Sequence, residues 1–234
     1  MRKFFLISIM VLSVILRLYH LGSNPPSLYW DEASLGYNAY SVLLSGRDEH
    51  GEKFPLARFI AFGDYKPPGY IYAAIPAIII FSLNEFAVRF PSALSGILMV
   101  FFTYLLVREL TEKPKIALLS ALSVGVSPWS IHLSRVAFEA NLAAFFNLAA
   151  VYFFLKSNKK GFYLILSVLF FLASFYTFNA NRIIAPLLYI MLCLIFARVQ
   201  IKNLKWHLIA VVFAFFLLLP SVGFLLGRES KLRF

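Results

Sequence analysis

The chain has 234 residues, 61% of them apolar and only 14% charged, with 26 Phe and a mean hydropathy of +0.79. Such a composition lies well above the apolar share of a soluble domain and points to a multi-spanning membrane protein. The net charge of +11 does not signal nucleic acid, because Lys and Arg sit in short clusters between apolar runs, where they set membrane orientation.

The opening Met1-Arg2-Lys3 and the apolar run after it resemble a signal peptide, but no small-residue cleavage pattern follows, so 4–21 reads as an uncleaved first span. Further spans are predicted over 90–107, 116–131, 137–155, 161–178, 183–197 and 206–226, each near the ~20 residues that cross a bilayer. The expected count is seven. The run 115–155 is apolar enough for one helix, yet at about 1.5 Å per residue it would be roughly twice the hydrocarbon thickness. It must turn, and Pro128, Ser134, Arg135, Glu139 and Asn141 mark where. Cys193 lies inside an apolar run, which excludes a disulfide or a cysteine zinc site within one chain and suits packing or lipid contact.

The segment 68–83, PGYIYAAIPAIIIFSL, is short for a span and carries an internal proline. If it does not cross, half of the 22 basic residues fall on one side, in clusters at Arg2 and Lys3, Arg108 to Lys115, Lys156 to Lys160, and Arg198 to Lys205. If it crosses, most of these move to the outer face, against the positive-inside rule. It therefore reads as a re-entrant or juxtamembrane helix over 68–84, preceded by a first outer loop over 22–67. That loop holds six of the eleven acids, Asp31, Glu32, Asp48, Glu49, Glu52 and Asp64. The same topology places the turns carrying Glu139 and Arg182 on the outer face with Asp31.

Within YWDEASLGYNAYSVLLSG, 29–46, the residues Ala33, Tyr37, Tyr40, Leu43 and Leu44 recur at helical spacing and predict an amphipathic surface helix. Asp31 at its start is an N-cap on the structural reading and a general base on the chemical one. The two are compatible, because a helix N-terminus fixes a carboxylate and keeps it ionised. Lys66-Pro67-Pro68 returns the loop to the apolar segment. Lys66 either snorkels to the interface or holds phosphate at a helix start. Arg182, after Tyr176, Thr177, Asn179 and Asn181, has the same two readings. Glu139 is a loop acid or an ion-pair partner of Arg135, and Arg17 and Arg89 read as interface anchors. His20, His132 and His207 lack metal-ligand spacing and partners, while Asp48-Glu49-His50 leaves a loop metal open. No G-x-S-x-G, P-loop, dinucleotide fingerprint or H-E-x-x-H is present. A lipid-carried donor, reached from the membrane plane, needs none of them.

Four features in order, Asp31-Glu32 after the first span, Lys66-Pro67-Pro68, NEFAVRFPSALSGIL over 84–98 and SPWSIHLSRVAFEANLAAFF over 127–146, resemble the polyprenyl-phosphate-sugar-dependent transferases of the GT-C fold. These include the protein O-mannosyltransferases and the lipid A aminoarabinose transferases. The resemblance covers essentially the whole chain. It implies an all-α integral membrane fold, a single module over 1–234 with seven transmembrane helices and juxtamembrane helices in the first outer loop. It also implies a multi-pass protein of the cell (plasma) membrane with an extracytoplasmic active face. The implied partners are membrane lipid, a polyprenyl-phosphate-linked sugar donor and a lipid, glycan or protein acceptor. A hexosyl or pentosyl group would be transferred with inversion. By position, Asp31 matches the base, Glu32 its neighbour and Glu139 the second outer acid, the three catalytic candidates. Lys66 and Arg182 match donor-phosphate contacts, with Arg135 and Tyr176 as supporting residues. Relatives differ in metal dependence, so a divalent cation stays open as a cofactor. Family members continue beyond the seventh helix, whereas this sequence stops at GRESKLRF, so a fragment, a split enzyme or a truncated frame is expected. The competing classes are a transporter or flippase of lipid-linked sugars, which would place ionisable residues at mid-membrane on repeated broken helices, and a non-catalytic membrane partner, which would be indifferent to loss of Asp31.

Overall fold

The computed structural model describes residues 2–227. The final stretch over 228–234 lies outside the described residues, and with it the reading of where the module stops. The elements in order are α1 (Arg2–Leu18), α2 (Trp30–Ser45), strands β1 (Phe59–Ala61) and β2 (Asp64–Lys66), α3 (Gly69–Phe81), α4 (Glu85–Thr111), α5 (Pro114–Val126), α6 (Pro128–Ser134), α7 (Glu139–Ser157), α8 (Tyr163–Phe175), α9 (Asn181–Ile195), the short α10 (Ala197–Gln200) with a 3-10 turn over Ile201–Asn203, and α11 (Leu204–Leu226).

A helix occupies each predicted span, but length divides them. Among the described residues α4, α7 and the run Ala197–Leu226 are long and apolar enough to cross a membrane, and the pair α5 and α6, bent by 58°, makes a fourth if counted as one. Helix α1 has 17 residues, α8 has 13 and α9 has 15, so the expected count of seven spans is not reached on length. The bend falls where Ser127 leaves the helical conformation ahead of Pro128, since the residue before proline is pushed toward extended geometry. The second turn of the 115–155 run comes between Ser134 and Glu139. Helix α3 covers 13 residues, about 20 Å, short of the ~30 Å hydrocarbon layer.

Helix α4, 27 residues and so about 40 Å long, is the mast of the fold. It packs against α1, α2, α3, α5, α6 and α7. Where helices cross, small side chains let the backbones approach: Ala87 and Ala93 on α4, Ala117 and Ala121 on α5, and Ala143, Ala149 and Ala150 on α7 are fully enclosed. This is the packing of helices that have no hydrophobic force between them in lipid. Gly96 shows how tight it is, because a Cβ there would lie 2.0 Å from Ser134 Oγ and 2.8 Å from Arg17 Nε. Helix α2 buries Leu35, Ala39 and Val42 against α3 and α4, and turns Ala33, Tyr37 and Leu44 outward. The stripe predicted from the spacing is thus the outward face, and the helix packs its other side, which includes Glu32, Ser34 and Asn38, against the protein.

Two arginines read as interface anchors are buried hubs instead. All five N–H groups of Arg17 find acceptors, on Ser13, Val124, Gly125, Ser130 and Ser134. They tie the end of α1 across the α5–α6 bend, whose broken helix leaves carbonyls to satisfy. Arg89 does the corresponding work near the site. At the far end of α4, Glu109 pairs with Lys156 and Lys159 at 2.8 and 2.5 Å, fastening the Lys-rich end of α7. His207, read as lacking partners, contacts Tyr189 Oη at 2.7 Å and Gln200 Oε1 at 3.1 Å. His20 contacts Ser23 at 3.2 Å, and Cys193 packs half-buried beside the α7–α9 core.

Candidate active site

The start of α2 and the hairpin β1–β2 bring the first two candidates together. Helix α2 begins with Tyr29 as N-cap and with Glu32 at the third helical position. Asp31 is therefore inside the first turn, not the cap. Glu32 performs that duty, accepting the Tyr29 N–H at 3.3 Å, the reciprocal half of a capping box. The hairpin pairs Phe59 with Lys66 and Ala61 with Asp64 and turns through Phe62 and Gly63, both with positive φ. Its second strand carries Lys66 to Asp31. The ammonium donates to Asp31 Oδ1 at 2.5 Å, with the lysine side chain 9% and the aspartate side chain 31% exposed.

Glu139 opens α7 at the third corner, where the helix dipole favours a carboxylate. Its Oε1 is buried with no hydrogen-bond partner among the described residues, and Lys66 and Asp31 are both close enough for their charges to act on it. Tyr29 borders the same acids. Burial first, then the charges of Asp31, Glu32 and Glu139, push its hydroxyl well above the usual tyrosine range and keep it a proton donor.

Glu32 has a different environment from its neighbour. It is 1% exposed, and its two oxygens take four hydrogen bonds. Oε1 accepts from Arg89 Nε at 3.0 Å and Ala137 N at 2.6 Å, and Oε2 accepts from Arg89 Nη2 at 3.1 Å and Tyr29 N at 3.3 Å. A carboxylate offers about four such sites, so Glu32 has none left for a substrate. Its expected place among the catalytic acids gives way to a framing one. Arg89 spends its remaining donors on the carbonyls of Leu21, Pro25 and Ser27. One ion pair thereby joins the loop after α1, the start of α2, α4 and the turn before α7. Tyr29 is not a capping-box residue type, so the sequence carried no cap signal, but an arginine inside an apolar run implies a buried partner. That arginine was the legible clue to this pair.

The supporting candidates are dispersed. Arg135 turns away from Glu139 and donates to the carbonyl of Leu16 in the last turn of α1 and to those of Tyr19, His20 and Asn24 in the loop after it, a cation on a helix C-terminus. The Tyr176 hydroxyl donates to Leu217 O at 2.7 Å and binds α11, while its carbonyl accepts the Gly69 N–H at 2.7 Å and anchors the Lys66-Pro67-Pro68 turn. Gly69 is required there, since a Cβ would come 2.8 Å from that carbonyl and 2.4 Å from Thr177 Oγ1. Arg182 donates to Ala57 O at 3.3 Å and lies 4.7 Å over the Phe224 ring, with Nε buried and unpartnered among the described residues. Phe224 in turn meets Tyr65, the residue before Lys66. Arg182 is thus a neighbour of the pair by way of two rings. An open groove of about 700 Å³ runs beside it, between loop residues such as Ala57 and Arg58 and the end of α11 at Pro220, Gly223 and Phe224.

Among the described residues no three His, Cys, Asp or Glu side chains converge. Asp48, read with Glu49 and His50 as an open metal loop, folds into a turn in which its Oδ1 accepts the N–H groups of His50 and Glu52.

No curated protein matches the sequence. Among solved structures, the chain is similar to ArnT from Cupriavidus metallidurans in the apo state, with a TM-score of 0.66 and 14% identity. The match covers 98% of this chain and 41% of that one, so the chain spans about two fifths of that protein's length. The likeness is one of fold, and that fold is the GT-C membrane architecture. The profile of the dolichyl-phosphate-mannose-protein mannosyltransferases matches residues 7–232, nearly the whole chain, including all of the elements that carry Asp31, Lys66, Arg89 and Glu139. The chain belongs to the dolichyl-phosphate-mannose-protein mannosyltransferase family.

Proposed function

We propose that the chain forms the reaction site of a membrane glycosyltransferase that moves a hexosyl or pentosyl group from a polyprenyl-phosphate carrier to an acceptor hydroxyl on the extracytoplasmic face of the cell membrane. The observation that carries this reading is the Asp31–Lys66 pair, a one-third exposed carboxylate held by a buried ammonium, with the Glu139 carboxylate beside it. Asp31 accepts the acceptor's hydroxyl proton as its oxygen bonds the anomeric carbon. The bond from that carbon to the phosphate oxygen breaks, the electron pair leaves with the phosphate, and the anomeric configuration inverts. Lys66 uses one N–H on Asp31 and has two more to direct at the leaving phosphate. Arg182, with an unspent Nε beside the groove under Phe224, adds a second cation to the carrier's head group. Glu139 orients the acceptor, and Glu32 positions Asp31 through the helix they share. In this reading the shorter helices α1, α8 and α9 also cross the membrane within the seven-helix module, tilted in a locally thinned bilayer. Helix α3 lies at the outer surface over 68–84, and the loop 22–67 faces outward.

Membranes containing the chain, and in parallel any longer reading frame that continues it, are to be supplied with a radiolabelled polyprenyl-phosphate sugar. Transfer that is lost in Asp31→Asn supports the assignment. Transfer unaffected by Asp31→Asn, or none in either form, refutes it and favours a flippase or a non-catalytic partner.

A further inference from the structure

The turn between α8 and α9 brings to the site a residue to which the transfer reaction gives no task. Asn179 stands three residues before Arg182, whose backbone N–H donates to the Asn179 carbonyl at 3.0 Å. Its side-chain amide donates to the carbonyl of Tyr65, the residue before Lys66, at 3.1 Å. Asn179 thereby ties the strand that delivers Lys66 to the turn that carries Arg182. A backbone carbonyl only accepts, so this contact fixes which end of the amide is which, with Nδ2 on Tyr65 and Oδ1 left for another partner.

That oxygen is buried and accepts nothing among the described residues. A buried acceptor without a partner costs stability, and folded proteins hold few of them. Two further buried atoms lack partners nearby, Glu139 Oε1 and Arg182 Nε, and all three residues are linked to the Asp31–Lys66 pair, Glu139 by its charge, Arg182 through two rings and Asn179 through Tyr65. Asn181, in the same turn, is the ordinary case, since its amide donates to Ser174 Oγ at 2.6 Å inside the bundle.

The chemistry of the missing partner follows from these atoms. Arg182 Nε and the spare N–H groups of Lys66 need acceptors, which phosphate oxygens supply. Asn179 Oδ1 needs a donor, and the phosphodiester of a lipid-carried sugar has no proton to give. The sugar bonded to that phosphate does, in its hydroxyls. A water bridging Asn179 Oδ1 and Arg182 Nε is the competing partner, but neither atom has surface open to water, so the void that such a water needs is not there. A substrate already gripped by its phosphate has binding energy with which to displace the side chains that close over Oδ1. We propose, on the premise that the chain is a sugar transferase, that Asn179 recognises the donor's sugar, its Oδ1 accepting a hydrogen bond from a hydroxyl of the sugar whose phosphate Lys66 and Arg182 hold.

The test measures donor binding in the absence of any acceptor, with the full chain in lipid nanodiscs. The probes are tritiated farnesyl-phosphoryl mannose, glucose and arabinose, and tritiated methyl farnesyl phosphate, which carries the same phosphodiester and no sugar. Empty nanodiscs correct for partition into lipid. The expected result is that at least one sugar probe binds about tenfold more tightly than the methyl diester. Asn179→Ala should cut that preference about three- to tenfold, the worth of one neutral hydrogen bond, and leave the Kd of the methyl diester unchanged. Asn179→Asp, which keeps an acceptor oxygen, should retain the preference. A side chain that only braces the Tyr65 carbonyl would weaken all probes alike in Asn179→Ala, and that result overturns the proposal. So does a preference untouched by Asn179→Ala, or none in the native chain. Sugar-selective binding in a chain that never transfers, alone or within a longer frame, sinks the transferase reading and leaves the sugar contact standing. Transfer with a preference indifferent to Asn179 sinks the contact alone.

Discussion

Arg89→Met tests whether the Glu32–Arg89 pair is the frame on which Asp31 depends. Both partners are enclosed, with the arginine 0% and the glutamate 1% exposed, and neither has water to fall back on. Removing one partner of a buried ion pair costs about 3–5 kcal/mol, because the other charge is left uncompensated. The carbonyls of Leu21, Pro25 and Ser27 lose their donors as well, which sets the expected loss at the upper end of that range. Glu32→Gln keeps one carbonyl oxygen for Ala137 N–H or Tyr29 N–H and leaves Arg89 three carbonyl partners, so its cost is smaller, about 2–3 kcal/mol. The double variant Glu32→Gln/Arg89→Met should be milder than the sum by at least about 1 kcal/mol, the coupling expected of groups in one network. Reversible unfolding in mixed SDS micelles, followed by circular dichroism, measures all three. Sugar transfer should fall with stability in Arg89→Met, since Asp31 rides on the turn that Glu32 pins. Additive effects, or a loss under about 1 kcal/mol in Arg89→Met, would refute the proposed frame.

Gly69→Ala should displace the Lys66-Pro67-Pro68 turn, because its Cβ would come 2.8 Å from the Tyr176 backbone oxygen; transfer is expected to drop at least about tenfold, with helix content by circular dichroism unchanged. Gly96→Val should destabilise the bundle by about 1–3 kcal/mol through overpacking against Ser134 and Arg17, and unfolding in SDS would read it. Arg135→Ala removes the donor to four carbonyls of the last turn of α1 and the loop after it and should cost about 1–3 kcal/mol, whereas Arg135→Lys should recover part of it because the charge at the helix end remains.

The hydropathy profile determined where helices form and in what order, since a segment entering lipid must satisfy its own backbone and shows that need locally as an apolar run. The charge bias of the loops, the turn required within 115–155 and the shortness of 68–83 were legible for the same reason. Asp31 and Lys66 could be singled out because the first opens a stretch of helical spacing and the second stands at the edge of an apolar run. What residues contact across the bundle was not legible. Arg17 and Arg89 look alike in sequence to snorkelling anchors, and only packing against carbonyls more than 60 residues away shows that both are buried. Asp31 and Glu32 are adjacent acids, yet the helix turns one toward Lys66 and the other toward Arg89. Successive residues on a helix point about 100° apart, so the tertiary surroundings of each face, and not the residue type, separate the candidate base from the buried frame that holds it.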